Sequence, residues 1–117
     1  MVQTADSPRA ARRREREQTV ISQMIALYCA GHHDAGSRRE RAHCGEPVCP
    51  ACAALDEAAV RHTARCRRME TKTSCRACEH HCYPPAEAEQ IRAVMRYAGP
   101  RMLLRHPVAA MRHLLGR

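Results

Sequence analysis

Three thiols fall within eight residues in Cys75-Arg76-Ala77-Cys78-Glu79-His80-His81-Cys82, and this density constrains the fold more than any other feature of the chain. A C-x2-C pair lets two sulfurs converge on one ion from a tight turn, and the third cysteine, four positions on, is within reach of the same ion or cluster. Cys49-Pro50-Ala51-Cys52 is a second knuckle of this kind. Cys29 and His33 stand at i, i+4 spacing, so both side chains can leave one face of a helix. With Cys44, Cys66 and His32 added, the chain offers ten candidate ligands.

The rest of the composition explains why a staple is needed. Phe and Trp are absent, only Tyr28, Tyr83 and Tyr97 are aromatic, and much of the apolar content is alanine, which gains little free energy on burial. A chain of 117 residues is read as one domain with a single small core, so a metal is expected to supply what packing does not. The arginine-rich start, with Arg9, Arg12, Arg13, Arg14 and Arg16, contains no apolar run of signal-peptide type, and the expected location is therefore the cytoplasm. Thiols are kept reduced there, so the eight cysteines read as metal ligands rather than disulfides. No segment approaches the roughly 20 apolar residues of a membrane span. Val20–Ala30 comes nearest, and Ser22 and Gln23 interrupt it.

Taken in order, residues 1–8 are expected to fray. A helix is expected from about Pro8, with Val20, Met24, Leu27 and Tyr28 on its buried stripe, Ile21 and Ile25 beside them, and the five arginines on an exposed extension. Gly31 suits its C-terminal stop. Asp34–Glu46 is polar and glycine-containing and reads as a loop, with Cys44 as a bystander at its end. A second helix is expected from about Ala53 to Cys66. Fourteen residues at about 1.5 Å each separate Cys66 from Cys52 by about 21 Å, so Cys66 cannot share an ion with Cys49 and Cys52. The short return from Arg67 to Ser74 brings it instead to the later trio.

Two groups of ligands result: a primary one of Cys66, Cys75, Cys78 and Cys82, and a second site or additional ligands at Cys29, His33, Cys49 and Cys52. Pro85 opens a third helix, with Ile91, Val94, Met95 and Ala98 buried, and Gly99-Pro100 is expected to stop it. A fourth helix follows from Pro100, broken or kinked at Pro107. The expected fold is thus all-α, about four helices with no sheet, stapled by cysteine-ligated metal.

Several runs resemble the nitrous oxide-stimulated promoter family of small bacterial proteins. They are Met24-Ile25-Ala26-Leu27-Tyr28-Cys29 with His32-His33, Cys49-Pro50-Ala51-Cys52, Cys66, and Cys75-x2-Cys78-x3-Cys82-Tyr83. The tail adds Ile91-Arg92-Ala93-Val94-Met95-Arg96-Tyr97-Ala98-Gly99-Pro100-Arg101-Met102 and Arg105-His106-Pro107. The resemblance spans roughly residues 12–115 and leaves Cys44 outside the pattern. It implies a cytosolic bacterial protein linked to nitrosative stress, with an iron-sulfur cluster as the metal centre and nitric oxide or redox change as its signal.

Thiolate-bound iron suits that role because it is soft and redox-active, whereas zinc in the same thiolates would be structural and redox-silent. The C-x2-C-x3-C order matches no standard cluster motif, so zinc stands as the alternative metal. The formal charge of +8 adds nucleic acid or an acidic partner to the expected contacts, although each coordinating thiolate lowers it. Without stacking aromatics the arginine runs read first as a solvated face. No nucleophile elbow or phosphate-cradling loop is present, so no enzymatic activity is expected.

Overall fold

The computed structural model of the protein describes residues 7–64, 84–108, 111 and 115. Helix α1 (Pro8–His32) begins where Ser7 Oγ accepts the amide of Ala10 and Pro8 occupies a first-turn position that needs no amide. Its buried face centres on Ile21, Ile25 and Cys29, with Leu27 and Tyr28 at the margin of the expected stripe. The helix runs past Gly31 to His32 and ends at His33, whose backbone is extended and whose amide bonds to the carbonyl of Cys29.

A single 3-10 turn (Ala35–Ser37) leads to a short antiparallel pair, β1 (Glu40–Arg41) and β2 (Pro47–Val48), in which Glu40 faces Val48 and Arg41 faces Pro47. This hairpin corrects the expectation of a loop and of a fold without a sheet. Gly45, at φ 94°, closes the turn with its amide on the carbonyl of Ala42, a conformation that other L-residues rarely adopt. Two buried side chains hold the turn from outside. Ser22 Oγ of α1 accepts the amide of Cys44 at 2.9 Å, and Asp56 Oδ2 accepts the amide of His43 at 2.9 Å.

Helix α2 (Pro50–Ala64) starts one turn earlier than expected, directly after Cys49, so Cys52 lies in its first turn. Helix α3 (Pro85–Arg105) begins at Pro85 as expected but runs through Gly99 and Pro100. Among the described residues there are thus three helices, not four, with helical geometry resuming after His106 at Pro107, Val108 and Met111. Packing accounts for the continuity. Ala88, Ile91, Val94, Ala98 and Met102 form one buried stripe that crosses Pro100, and α3 lies against α1 along it. Pro100 and Arg96 are exposed, so the carbonyl that loses its amide partner does so on the solvent side of the helix.

The arginine run near the start is not wholly a solvated extension. Arg13 is buried, and Arg14 Nη1 donates to the carbonyls of Thr63 at 2.6 Å and Ala64 at 3.1 Å. A cation on the carbonyls of Thr63 and Ala64 complements the dipole of α2. Gln18 Nε2 reaches the carbonyl of Val60 one turn further in. The core between the helices contains Val20, Ile21, Met24, Ile25, Val48, Ile91, Val94 and Met102, filled in with alanines. No described helix is long and apolar enough to cross a membrane.

Candidate metal centre

The chain elements converge where α1 ends, β2 ends and α2 begins. Cys29 projects from the last turns of α1, His33 caps that helix, Cys49 follows β2, and Cys52 sits in the first turn of α2. The three sulfurs and the imidazole Nδ1 lie within 4.8 Å of one another, so the four residues are positioned to bind a metal ion. His33 Nδ1 is 3.4 Å from Cys49 Sγ and 3.3 Å from Cys52 Sγ. Cys29, Cys49 and Cys52 are all buried free thiols, while the His33 side chain is exposed.

Backbone amides prepare the sulfurs for negative charge. The Cys49 amide donates to Cys29 Sγ at 3.3 Å, and the Cys52 amide donates to Cys49 Sγ at 3.4 Å. The N-terminus of α2 adds its dipole to the same corner. Burial acts to raise the Cys49 thiol, but hydrogen bonds from the Cys52 amide, the Cys52 and Cys29 thiols and the Ala51 amide outweigh it, and the net shift is downward. Cys52 is pushed well above the ordinary thiol range, first by burial and then by the sulfurs of Cys49 and Cys29. Two unit charges about 4 Å apart at an effective dielectric of about 20 repel by about 4 kcal/mol, so three thiolates at this spacing need a cation among them.

The donor set is one that soft and borderline metals accept. A tetrahedral ion with bonds of about 2.3 Å to sulfur and about 2.0 Å to nitrogen places its ligand atoms about 3.5–3.8 Å apart, and Cys3His is a structural zinc set. The two nitrogen-to-sulfur distances, 3.4 and 3.3 Å, are close to that edge, and all four donors lie within 4.8 Å. Cys29, His33, Cys49 and Cys52 are thus positioned to bind a metal ion.

The other sequence candidates divide cleanly. Cys66, Cys75, Cys78 and Cys82 lie outside the described residues. His32 turns away from the sulfurs, with its Nδ1 2.9 Å from the carbonyl of Tyr28 and its ring stacked on Tyr28 at 4.0 Å. Cys44 is half-buried and is not part of the four-donor group. Sequence reasoning passed over the groups that shape the site. Ser22 is visible in the sequence only as an interruption of an apolar run, and Asp56, next to Glu57, carries no signal of its own. Tyr97 was read only as part of a motif. Its ring meets Tyr28 edge-on at 5.9 Å and His32 at 4.5 Å, with the Arg101 guanidinium 3.8 Å from its centroid, forming an aromatic wall beside His33.

A small, mostly helical, cysteine-rich protein with a Cys3His group positioned for metal is the class that fold and site define. The chain belongs to the nitrous oxide-stimulated promoter family, whose sequence profile matches residues 12–117. It is 37% identical over 106 residues to the YgbA protein of Escherichia coli strain K12, a match that covers 91% of this chain and 82% of that protein. No solved structure matches the chain.

Proposed function

We propose that this protein is a cytoplasmic metal-binding component of the response to nitrosative stress, in which one zinc ion staples the fold and a separate thiolate group serves as the responsive centre. The observation that carries the zinc assignment is the spacing of Cys29, His33, Cys49 and Cys52, all within 4.8 Å, with three of the four donors buried. Zinc has no redox chemistry of its own, so its contribution there is folding energy. For the responsive centre we assign an iron-sulfur cluster to Cys66, Cys75, Cys78 and Cys82, on the density of those thiols in the sequence and on the family resemblance. The family name supports the link to nitrogen oxides. Binding of nucleic acid is the weaker reading, because Arg13 is buried and Arg14 is engaged with the end of α2, which reduces the free basic surface.

Anaerobic isolation from iron- and zinc-replete cells, followed by measurement of zinc, iron and sulfide per chain, tests both assignments. The wild type should carry one zinc together with iron and sulfide. Cys52→Ala should lose the zinc and keep the iron, Cys78→Ala should do the reverse, and nitric oxide should bleach the visible absorbance only where iron is present. Stoichiometric zinc with neither iron nor sulfide would overturn the cluster, and iron lost from both variants together would overturn the separation into two sites.

A further inference from the structure

The four donors are not held equally, and the difference identifies a place where an outside molecule can reach the metal. Cys29 is 0% exposed, Cys49 6% and Cys52 4%, and each is fixed by a packed element. Amide hydrogen bonds further hold the Cys29 and Cys49 sulfurs. His33 differs on every count. It lies beyond the last residue of α1, its ring is exposed, and its ring nitrogens make no hydrogen bond to the described residues apart from the two Nδ1 contacts to sulfur. A metal-bound histidine normally has its second nitrogen anchored by a carboxylate, a carbonyl or water, which fixes the ring. The ring contact recorded here is the edge-on one to Tyr28, at 6.1 Å between centroids. The backbone beneath it is secured by the bond from the His33 amide to the carbonyl of Cys29, so the side chain can rotate away without disturbing α1.

Building on the zinc reading above, we propose that His33 is a displaceable ligand and that its corner of the tetrahedron binds small soft donors, above all low-molecular-weight thiolates. In the exchange the bond from the metal to Nδ1 breaks and a bond from the metal to the incoming sulfur forms. The thiol proton passes to solvent, and no electron is transferred. A thiolate in place of a neutral imidazole takes the site from a formal −1 to −2, a change that a chain of formal charge +8 and the amide donors around the sulfurs accommodate. The three buried cysteines remain bound throughout, so the staple persists while the fourth position turns over.

Cobalt(II) substitution tests this directly, because the absorbance from sulfur-to-cobalt charge transfer grows with the number of bound thiolates. Cobalt-loaded wild type and His33→Cys are titrated anaerobically with 2-mercaptoethanol. The wild-type band should rise toward that of His33→Cys, in proportion to four thiolates instead of three, while His33→Cys stays unchanged. Any contribution from Cys66, Cys75, Cys78 and Cys82 is common to both proteins and cancels in the difference. His33→Gly should take on the wild-type cobalt spectrum when imidazole is supplied and that of His33→Cys when the thiol is supplied. A wild-type spectrum that does not move, an equal change in both proteins, or loss of cobalt to the thiol would each overturn the proposal. Absence of a tetrahedral cobalt spectrum in both proteins before any thiol is added would instead refute the single-ion site itself.

Discussion

Gly31→Ala isolates the contact between the end of α1 and the aromatic wall. A Cβ built on Gly31 falls on the hydroxyl of Tyr97 and lies 2.5 Å from Cζ and 3.0 Å from Cε1. Carbon atoms in contact prefer about 3.5–4.0 Å, so the Tyr97 ring must move. Its displacement loosens two ring contacts, to Tyr28 and His32, each contributing about 0.5–1.5 kcal/mol, and overpacking typically costs about 1–3 kcal/mol. Against this, alanine is favoured over glycine in a helix by up to about 1 kcal/mol. The expected balance is a destabilisation of about 1–3 kcal/mol, measured by urea unfolding with zinc in excess. In a Tyr97→Ala background the obstruction is gone and only the helix preference remains, so Gly31→Ala should stabilise by up to about 1 kcal/mol. The sign must reverse between the two backgrounds. If Gly31→Ala destabilises equally in both, the ring does not lie against the glycine and the wall beside His33 is wrongly drawn.

Three further outcomes are expected. Ser22→Ala leaves the Cys44 amide without its acceptor at a cost of about 1–3 kcal/mol and should weaken zinc affinity through the hairpin that delivers Cys49; unchanged affinity in a competition titration would separate the hairpin from the site. Zinc affinity should rise with pH, because the raised Cys52 thiol is protonated at neutral pH in the metal-free protein and must release that proton on coordination. One such proton means about a tenfold change per pH unit, and flat affinity between pH 6.5 and 7.5 would contradict it. Cys44→Ala should leave zinc, iron and sulfide content unchanged, and a loss matching that of Cys52→Ala would place the hairpin thiol in the coordination shell.

Most of the helical framework was legible because its signals are local. Ser7-Pro8 and Pro85 mark helix starts by capping and by the missing amide, and the apolar spacing gives the buried faces within about one residue. What failed to show depended on distant partners. Pro100 reads as a stop from sequence, yet Ala98 and Met102 find α1 on either side of it, and that packing outweighs the lost hydrogen bond. Strands of two residues are too short for alternation to register, and they form because Ser22 and Asp56, from two different helices, hold the turn between them. Cys29, His33, Cys49 and Cys52 were recognisable as a group from knuckle and helical spacing. The primary group of Cys66, Cys75, Cys78 and Cys82 lies outside the described residues, so the structure bears on this second group alone.

The same contacts explain why so small and aromatic-poor a core can order α1 against α2. Arg14 meets Thr63 at one end and Cys29 meets Cys52 at the other, so fifteen residues of α1 run against eleven of α2 in the opposite direction. At about 1.5 Å per residue the two clamps are about 17–22 Å apart. Between them Ala58 and Ala59 are buried on α2, where they permit close approach but contribute little transfer free energy. The core contacts of Val20, Ile21, Met24 and Ile25 are therefore reinforced at both ends, by a cation on the carbonyls of Thr63 and Ala64 at one and by four convergent donors at the other. Removing a bound metal is expected to loosen only the second clamp, because Ser22 and Asp56 still hold the hairpin, the His33 amide still bonds the carbonyl of Cys29, and Arg14 still holds the other end. Circular dichroism with and without zinc is therefore expected to show α1 and α2 still paired, with the change confined to the tyrosine signal of Tyr28 and Tyr97 beside exposed His33; loss of most of the helical signal on removing zinc would refute this.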